Sequence, residues 1–361
     1  MADLKSFIAS SRLFAVIFGG AGCEHEISCK SAGSIIITAR ACGYALLPVG
    51  ISRSGDFYIY LGEDEKIADG SCFDDERNLV PSFPVRIGGE RGFYTSEGIV
   101  TVCSALIALH GDYGEDGRVQ GLLDCVGRPF TGCDTVTGAV SVDKACTKAV
   151  AEALGIPTLP WLLLTERDAE AARHLTEERL DYPVFIKPSG LGSSVGASLV
   201  KERCEFSEAY GRAFELGHGR VLAELALTDK RELECAYINA SGIYAISAPS
   251  MIRVGGSSYD FDAKYRNRTA ELTVRAELTR ECIDTVRNYT ERICRALSVR
   301  HISRVDYFLS DDGRIYFNEI NTFPGMTDGS LYPAMLESLG ISAGTMISAL
   351  LEAPLSEVSE W

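Results

Sequence analysis

The chain is short of positive charge. Lysine and arginine number 35 against 50 aspartates and glutamates, a formal net charge of −15. A surface that tracks a nucleic-acid backbone carries the opposite sign, which argues against a nucleic-acid partner while leaving room for a local basic pocket on a small anion. Long apolar runs are missing too. None approaches the ~20 residues of a membrane span, and residues 13–18 are too short for a signal-peptide core. No membrane partner is expected, and the expected compartment is the cytoplasm. Paired cysteines are absent. Twelve are present, yet no C-x-x-C occurs and the nearest pair is Cys23 and Cys29. A structural zinc site lacks the spacing it needs. Cysteines in apolar stretches, such as Cys103, Cys125 and Cys235, read as buried free thiols of a reducing compartment. There is no internal repeat and no low-complexity segment.

What the chain does contain is enough apolar sequence for two or three domains in 361 residues, 46% of them hydrophobic. LFAVIFGG (13–20) reads as a buried parallel strand, followed by a helix that ends near Gly43. ALLPVGIS (45–52) reads as a second strand and IVTVCSALIALHG (99–111) as a third. A helix is expected near 118–126 and a short strand at PFTG (129–132). Strands alternating with helices give an open parallel α/β sheet with function at the strand C-terminal ends. From Thr135 the pattern becomes α+β. One helix is stopped by Gly155 and Pro157. Strand, glycine loop and strand follow in 182–200, then a helix (207–216) and a strand (220–227). The predicted units are 1–132, 133–227 and 228–361.

Two stretches carry chemistry. KPSGLGSSVGAS (187–198) is a glycine- and serine-rich loop with Lys187 at its base. Small residues let backbone N–H groups approach phosphate oxygens closely. No Gly-Lys-Ser/Thr follows, so it is not a Walker A loop, and taken alone it is equally a plain hairpin loop. RVDYFLSDDGRIYFNEIN (304–321) reads as two strands joined at Asp311-Asp312-Gly313. Asp306, Glu319 and Asn321 place three oxygen donors among residues that favour burial, and Glu319 and Asn321 share a strand face. Such a set suits Mg²⁺. The plainer alternative is structural ion pairing, with Arg304 as a partner. Two carboxylates ~4 Å apart repel by roughly 4 kcal/mol at an effective dielectric of 20, and a divalent cation removes that cost.

Taken in order, GGAGCEHEIS, LHGDYGEDGRVQG, VDKACTK, FIKPSGLGSSVG, RELE, DAKY, SRVDYF, FNEINTFPGMT and GSLYP resemble the D-alanine–D-alanine ligase family of ATP-grasp enzymes, including its vancomycin-resistance relatives. The resemblance spans nearly the whole chain. It implies a three-domain ATP-grasp architecture, with an N-terminal open parallel sheet and two α+β domains clamping ATP. It also implies an ATP-dependent ligase that forms a D-Ala-D-X dipeptide through a D-alanyl phosphate for peptidoglycan precursors. ATP and two Mg²⁺ ions, with Mn²⁺ as a substitute, are the implied cofactors, and a homodimer is the implied assembly.

By position in the motifs, Lys144, Lys187 and Lys264 match the phosphate-contacting lysines, with Ser194 in the glycine loop. Glu224 and Glu232 match the adenine and ribose contacts. Asp306, Glu319 and Asn321 match the metal ligands, Glu319 bridging two ions. Arg304 shares a strand face with Asp306 and matches the guanidinium on the acyl phosphate, with the Gly325 N–H as second donor. Glu24 matches the acceptor for the first D-alanine's ammonium, and His110 lies on the same sheet edge. Ser193 and Tyr265 match its hydrogen-bonding partners, and Ser330 the holder of the second carboxylate. Residues 257–272 read as a lid carrying Lys264 and Tyr265.

Tyr265 in DAKY argues against a hydroxy acid as acceptor. GISRSGDFYIYLGE and GCDTVTGAVSVDK look closer to the resistance ligases. Leu331, however, stands where those relatives tend to carry a basic residue. It offers a serine hydroxyl no partner, which favours D-alanine, with D-serine as the alternative. Another amino-acid substrate, or a non-catalytic nucleotide-binding protein, are the remaining readings.

Overall fold

The computed structural model describes residues 12–227, 230–254, 270–327 and 329–357. Its first strand, β1 (Leu13–Gly19), is buried at every position, as a strand with parallel neighbours and covered faces must be. Alternate residues enter different cores. Phe14, Val16 and Phe18 pack with Ile35 and Ile36 of α1 (His25–Ala41). Leu13, Ala15 and Ile17 pack with Val119 and Leu123 of α3 (Arg118–Val126); the short α2 (Glu65–Ala68) precedes it in the chain. β1 is flanked in parallel by β2 (Ala45–Ile51) and β8 (Ser104–Ile107), and β9 (Phe130–Thr131) follows β8 in parallel. The other edge departs from the all-parallel expectation. β3 (Phe57–Tyr60) and β4 (Leu79–Pro81) extend the sheet antiparallel.

The run 99–111, expected as one strand, is divided. A small antiparallel sheet of β5 (Phe83–Ile87), β6 (Glu90–Thr95) and β7 (Gly98–Val100) takes its beginning. β8 takes its middle. Between them Val102 gives its carbonyl to Arg128 and Cys103 donates its N–H to Leu13 O at 2.6 Å. Hydrophobicity is continuous across the break, so composition could not mark it. The helix expected before Gly155 is also divided, into α4 (Thr135–Val142) and α5 (Lys144–Ala153). Asp143 sits between them in an extended conformation, and its side chain accepts the Ala145 and Cys146 N–H groups, an N-cap.

The second sheet is antiparallel, in the order β10 (Trp161–Leu164), β13 (Val221–Leu225), β11 (Val184–Pro188), β12 (Ser198–Val200). One face is closed by α6 (Ala169–Glu177) and α7 (Phe206–Leu216) in a core confined to residues 162–223. The third sheet runs β17 (Ala270–Thr273), β16 (Ser250–Val254), β14 (Lys230–Ala240), β18 (His301–Ser310), β19 (Ile315–Asn321), with β15 (Ile243–Ile246) also on β14. α4, α5 and α8 (Arg280–Ala296) pack against this sheet.

α9 (Leu331–Glu337) and α10 (Ala343–Ser356) share one apolar cluster with β1, α1, β14 and β18. Ser104 Oγ donates to Leu351 O at 2.8 Å, Thr131 Oγ1 to Leu350 O at 2.5 Å, and Arg12 pairs with Glu352 at 2.6 Å. No helix of the described residues is long and apolar enough to cross a membrane. All twelve cysteines are free thiols. Five are buried, Cys235 among them, whereas Cys125 of α3 faces solvent, contrary to expectation.

Candidate active site

The second and third sheets face each other across a cleft. Strand alternation sorts the side chains. On β11, Val184 and Ile186 enter the core beneath, while Phe185 and Lys187 face the cleft. On β13, Ala223 enters the core and Glu224 the cleft. From the opposite sheet come Lys230, Glu232, Glu234, Asp306, Phe308 and Glu319, and from α5 comes Lys144. Of the expected nucleotide and metal residues, Lys144, Lys187, Ser194, Glu224, Glu232, Asp306 and Glu319 all line this one cleft.

Their charges are closely matched. Glu224, only 2% exposed, is shared by Lys187, 2.8 Å from its Oε2, and Lys148, which meets its Oε1. Burial alone would push the Glu224 carboxyl up; the two ammonium groups overcome that and bring it down to about 2. Lys144 Nζ lies 3.2 Å from Glu319 Oε2 and donates to Leu191 O at 2.6 Å. Lys230 lies 3.6 Å from the Phe308 ring centroid and 5.6 Å from that of Phe185, and pairs with Glu232 at 3.2 Å. Arg304 Nε and Nη2 donate to the two Asp306 oxygens at 2.7 Å each, a fork-to-fork pair. Its Nε is also 3.4 Å from Glu234. Burial opposes the Arg304 charge, and Asp306 and Glu234 more than restore it, so its pKa is raised. The ion pairing weighed against a metal at the sequence level is therefore present here.

The expected metal donors sit on alternate rungs of one face, Asp306 opposite Glu319 and Arg304 opposite Asn321, with the Val305–Ile320 rung between them. Asn321 Oδ1 accepts the Phe323 N–H at 3.0 Å. Two carboxylates and an amide are hard oxygen donors, and each carboxylate already draws a cationic side chain. The set fits a small divalent cation by its chemistry. Just beyond the Asp306–Glu319 rung the register shifts, so that Tyr307 pairs with Phe317. Asn318 is the extra residue of this β-bulge. Its side chain lines the cleft, and its Oδ1 is buried without a hydrogen-bond partner.

A second cluster gathers where the first sheet meets the glycine loop. Glu24 precedes the first residue of α1 and is 8% exposed. Ser193 Oγ hydrogen-bonds to its Oε1, joining the two units. Ser193 and Ser194 hold left-handed φ values of 49° and 58°, a conformation that costs a non-glycine residue energy and persists where surroundings enforce it. His110 Nε2 lies 2.8 Å from Ser31 Oγ, and its Nδ1 lies 3.7 Å from Glu115, whose carboxyl is pushed up by burial. The Met326 N–H reaches the same Ser31 Oγ at 3.5 Å, which brings the Gly325 loop alongside. A Cβ on Gly325 would stand 2.9 Å from Ser330 Oγ, so any larger residue there would make that hydroxyl move. Ser330 Oγ pairs with Thr327 Oγ1 at 2.8 Å, and Leu331 is buried in the first apolar cluster. Lys264, Tyr265 and most of the 257–272 segment lie outside the described residues.

Lys148, Lys230, Glu234, Glu115 and Asn318 received no role from the sequence. Two had a signal. Lys148 is one helical turn from Lys144 on the same face, and Glu234 is two residues from Glu232 on one strand face. The Asn318 bulge had none, because register belongs to a strand pair.

The geometry meets its counterpart in known proteins. A sequence model described as D-ala D-ala ligase N-terminus matches residues 13–133, and one described as D-ala D-ala ligase C-terminus matches residues 150–352. The D-alanine–D-alanine ligase of Chlorobium limicola is 36% identical over 354 residues, 95% of this chain and 96% of that protein. That of Chlorobium phaeovibrioides is 37% identical over 358 residues, 94% of this chain and 96% of its own length. Among solved structures, the VanG D-Ala:D-Ser ligase from Enterococcus faecalis is similar with a TM-score of 0.87 at 32% identity, covering 96% of this chain and all (100%) of that one. The D-alanine–D-alanine ligase from Coxiella burnetii gives 0.83 at 27% identity, over 97% and 95%. The chain belongs to the D-alanine–D-alanine ligase family, and its mixed α/β architecture is the ATP-grasp fold.

Proposed function

We propose that the chain is an ATP-dependent ligase that joins D-alanine to a second D-amino acid, giving the D-Ala-D-X dipeptide used in peptidoglycan precursors. The observation that carries this reading is the single cleft that gathers Lys144, Lys187, Glu224, Glu232, Asp306 and Glu319, with Arg304 beside them. A carboxylate oxygen of the first D-alanine takes the γ-phosphoryl group of ATP, and ADP leaves. The amine of the second substrate then attacks the acyl carbon. The C–N bond forms as the C–O bond to phosphate breaks, and a proton is released.

The chain's own groups divide this work. Glu24, held by Ser193, accepts the first ammonium, with His110 beside it. Lys144, Lys187 and Ser194 face the phosphates, and Glu224 and Glu232 the adenosine. Lys264 and Tyr265 are assigned by motif alone. Mg²⁺, as two ions with Mn²⁺ as substitute, would be held by Asp306, Glu319 and Asn321 and would neutralise triphosphate charge. Arg304 and the Gly325 N–H would stabilise the charge that develops on the acyl phosphate. Ser330, at the start of α9, would hold the second carboxylate. The division into units 1–132, 133–227 and 228–361, a homodimeric assembly and a cytoplasmic location complete the reading.

D-Alanine is the preferred acceptor. Leu331 is buried among apolar neighbours and gives a hydroxyl nothing to bond. The likeness to the VanG D-Ala:D-Ser ligase favours D-serine as the second reading. The test is ADP release over D- and L-amino acids, singly and in pairs, with kcat/KM for each acceptor. Release with D-alanine alone is expected, with D-serine accepted less well. Release with L-amino acids only, or none with any amino acid, overturns the ligase reading. A preference for D-serine overturns the Leu331 argument alone.

A further inference from the structure

Two lysines converge on one buried carboxylate, and only one of them has been given a task. Lys148 lies on α5, four residues after Lys144, with no exposed surface. Its ammonium meets Glu224 Oε1 and lies 3.5 Å from Phe317 O. Lys187 meets the other oxygen of the same carboxylate and retains 14% side-chain exposure, toward the cleft. In direct contact, two ammonium groups therefore share one carboxylate, with Glu319 the next carboxylate acting on both.

The sharing has a direction. Lys187 is read above as a phosphate ligand, and the inference rests on that reading. To meet a phosphate, its ammonium has to turn from Glu224 toward the cleft. Glu224 cannot follow, since its carboxylate is all but enclosed. A buried carboxylate stripped of its only cation is strongly disfavoured, and with Lys187 as sole partner it would hold that lysine back. Lys148 removes the conflict, because it is the cation that stays.

We propose that Lys148 is the resident counter-ion of Glu224, a positioning residue that keeps this carboxylate satisfied while Lys187 is given over to the phosphates of the nucleotide. Lys148 touches no substrate. It acts by setting how tightly Glu224 competes for Lys187.

The test is a double-mutant cycle read by calorimetric ADP binding. Lys148→Met in the otherwise native chain should weaken ADP by about tenfold or more, because Glu224 then captures Lys187. The same substitution in a Glu224→Gln background should change ADP affinity by less than about threefold, because no carboxylate remains to capture it. A side chain that merely fills space gives the same loss in both backgrounds, and that result overturns the proposal, as does no loss in either. Lys187→Met is the control for the underlying reading. If it leaves ADP affinity unchanged, the phosphate role of Lys187 fails. If it weakens ADP while Lys148→Met acts equally in both backgrounds, only the present inference fails. Should Lys148→Met not fold, the unmodified protein with ¹⁵N-labelled lysine gives the second measurement. Through an ADP titration the Lys187 ammonium resonance should move and that of Lys148 stay. Movement of Lys148 with Lys187 fixed overturns the proposal.

Discussion

Arg304 shows how far single residues were legible. Its two-residue spacing from Asp306 on a strand placed both on one face, and the structure joins them by two hydrogen bonds of 2.7 Å. The sequence could not show Glu234 at 3.4 Å, since that contact spans β14 and β18. Arg304→Met keeps much of the bulk and removes the charge. It should lower kcat by roughly 10²–10³ with the KM for ATP little changed, as expected for a donor aimed at developing charge. Steady-state kinetics with ATP varied at saturating D-alanine decide the matter. A collapse in ATP affinity with kcat intact would make Arg304 a nucleotide ligand. Lys148 and Lys230 were missed for a different reason. A lysine in a sequence reads as a solvated surface group, and only the folded cleft reveals that these two are withdrawn from water.

Elements were legible where one strand or helix carries its own signal. The alternation of 304–321, with its Asp-Asp-Gly turn, gave the β18–β19 hairpin; the glycine loop gave the connection from β11 to β12. Boundaries set by a partner were not legible, as the split of 99–111 and the register shift at Asn318 show. The break at Asp143 belongs to the same class and has consequences. Asp143 caps α5, accepts the Ser189 hydroxyl at 2.6 Å and pairs with Arg220 at 2.7 Å. It thus fixes the helix that begins with Lys144 to the end of β11, one residue beyond Pro188. Asp143→Ala should cost about 1–2 kcal/mol of stability through the lost cap and raise the KM for ATP by displacing Lys144. Asp143→Asn retains an oxygen for the cap and should cost less. Thermal melts with ATP kinetics on both variants check this. An alanine variant with unchanged melting and KM would show that the cap is dispensable.

The whole molecule is held as two cooperative bodies of unequal composition. The second sheet, with α6 and α7, keeps a core of its own between residues 162 and 223. The first and third sheets share a cluster that runs from Phe14 to Ala353. Local stability follows such contiguous packing. Amide hydrogen exchange should therefore show β10–β13 opening as a separate, less protected unit, with β1 and β14 exchanging together in the slowest class. Equal protection across all three sheets would contradict this division.

The shared cluster also has a consequence for synthesis. The face of β1 bearing Phe14, Val16 and Phe18 is completed by Met335, Met346 and Leu350, which are translated far later than β1 itself. Ser104 and Thr131 likewise find their acceptors on α10. The first sheet must wait, one apolar face unfinished, while roughly two hundred further residues are translated. Contacts this distant in sequence close late, so during that interval an apolar face of the nascent chain stays open. A ribosome stalled before residue 331 should display a first sheet open to protease, and one stalled behind a flexible linker appended after residue 361 should protect it.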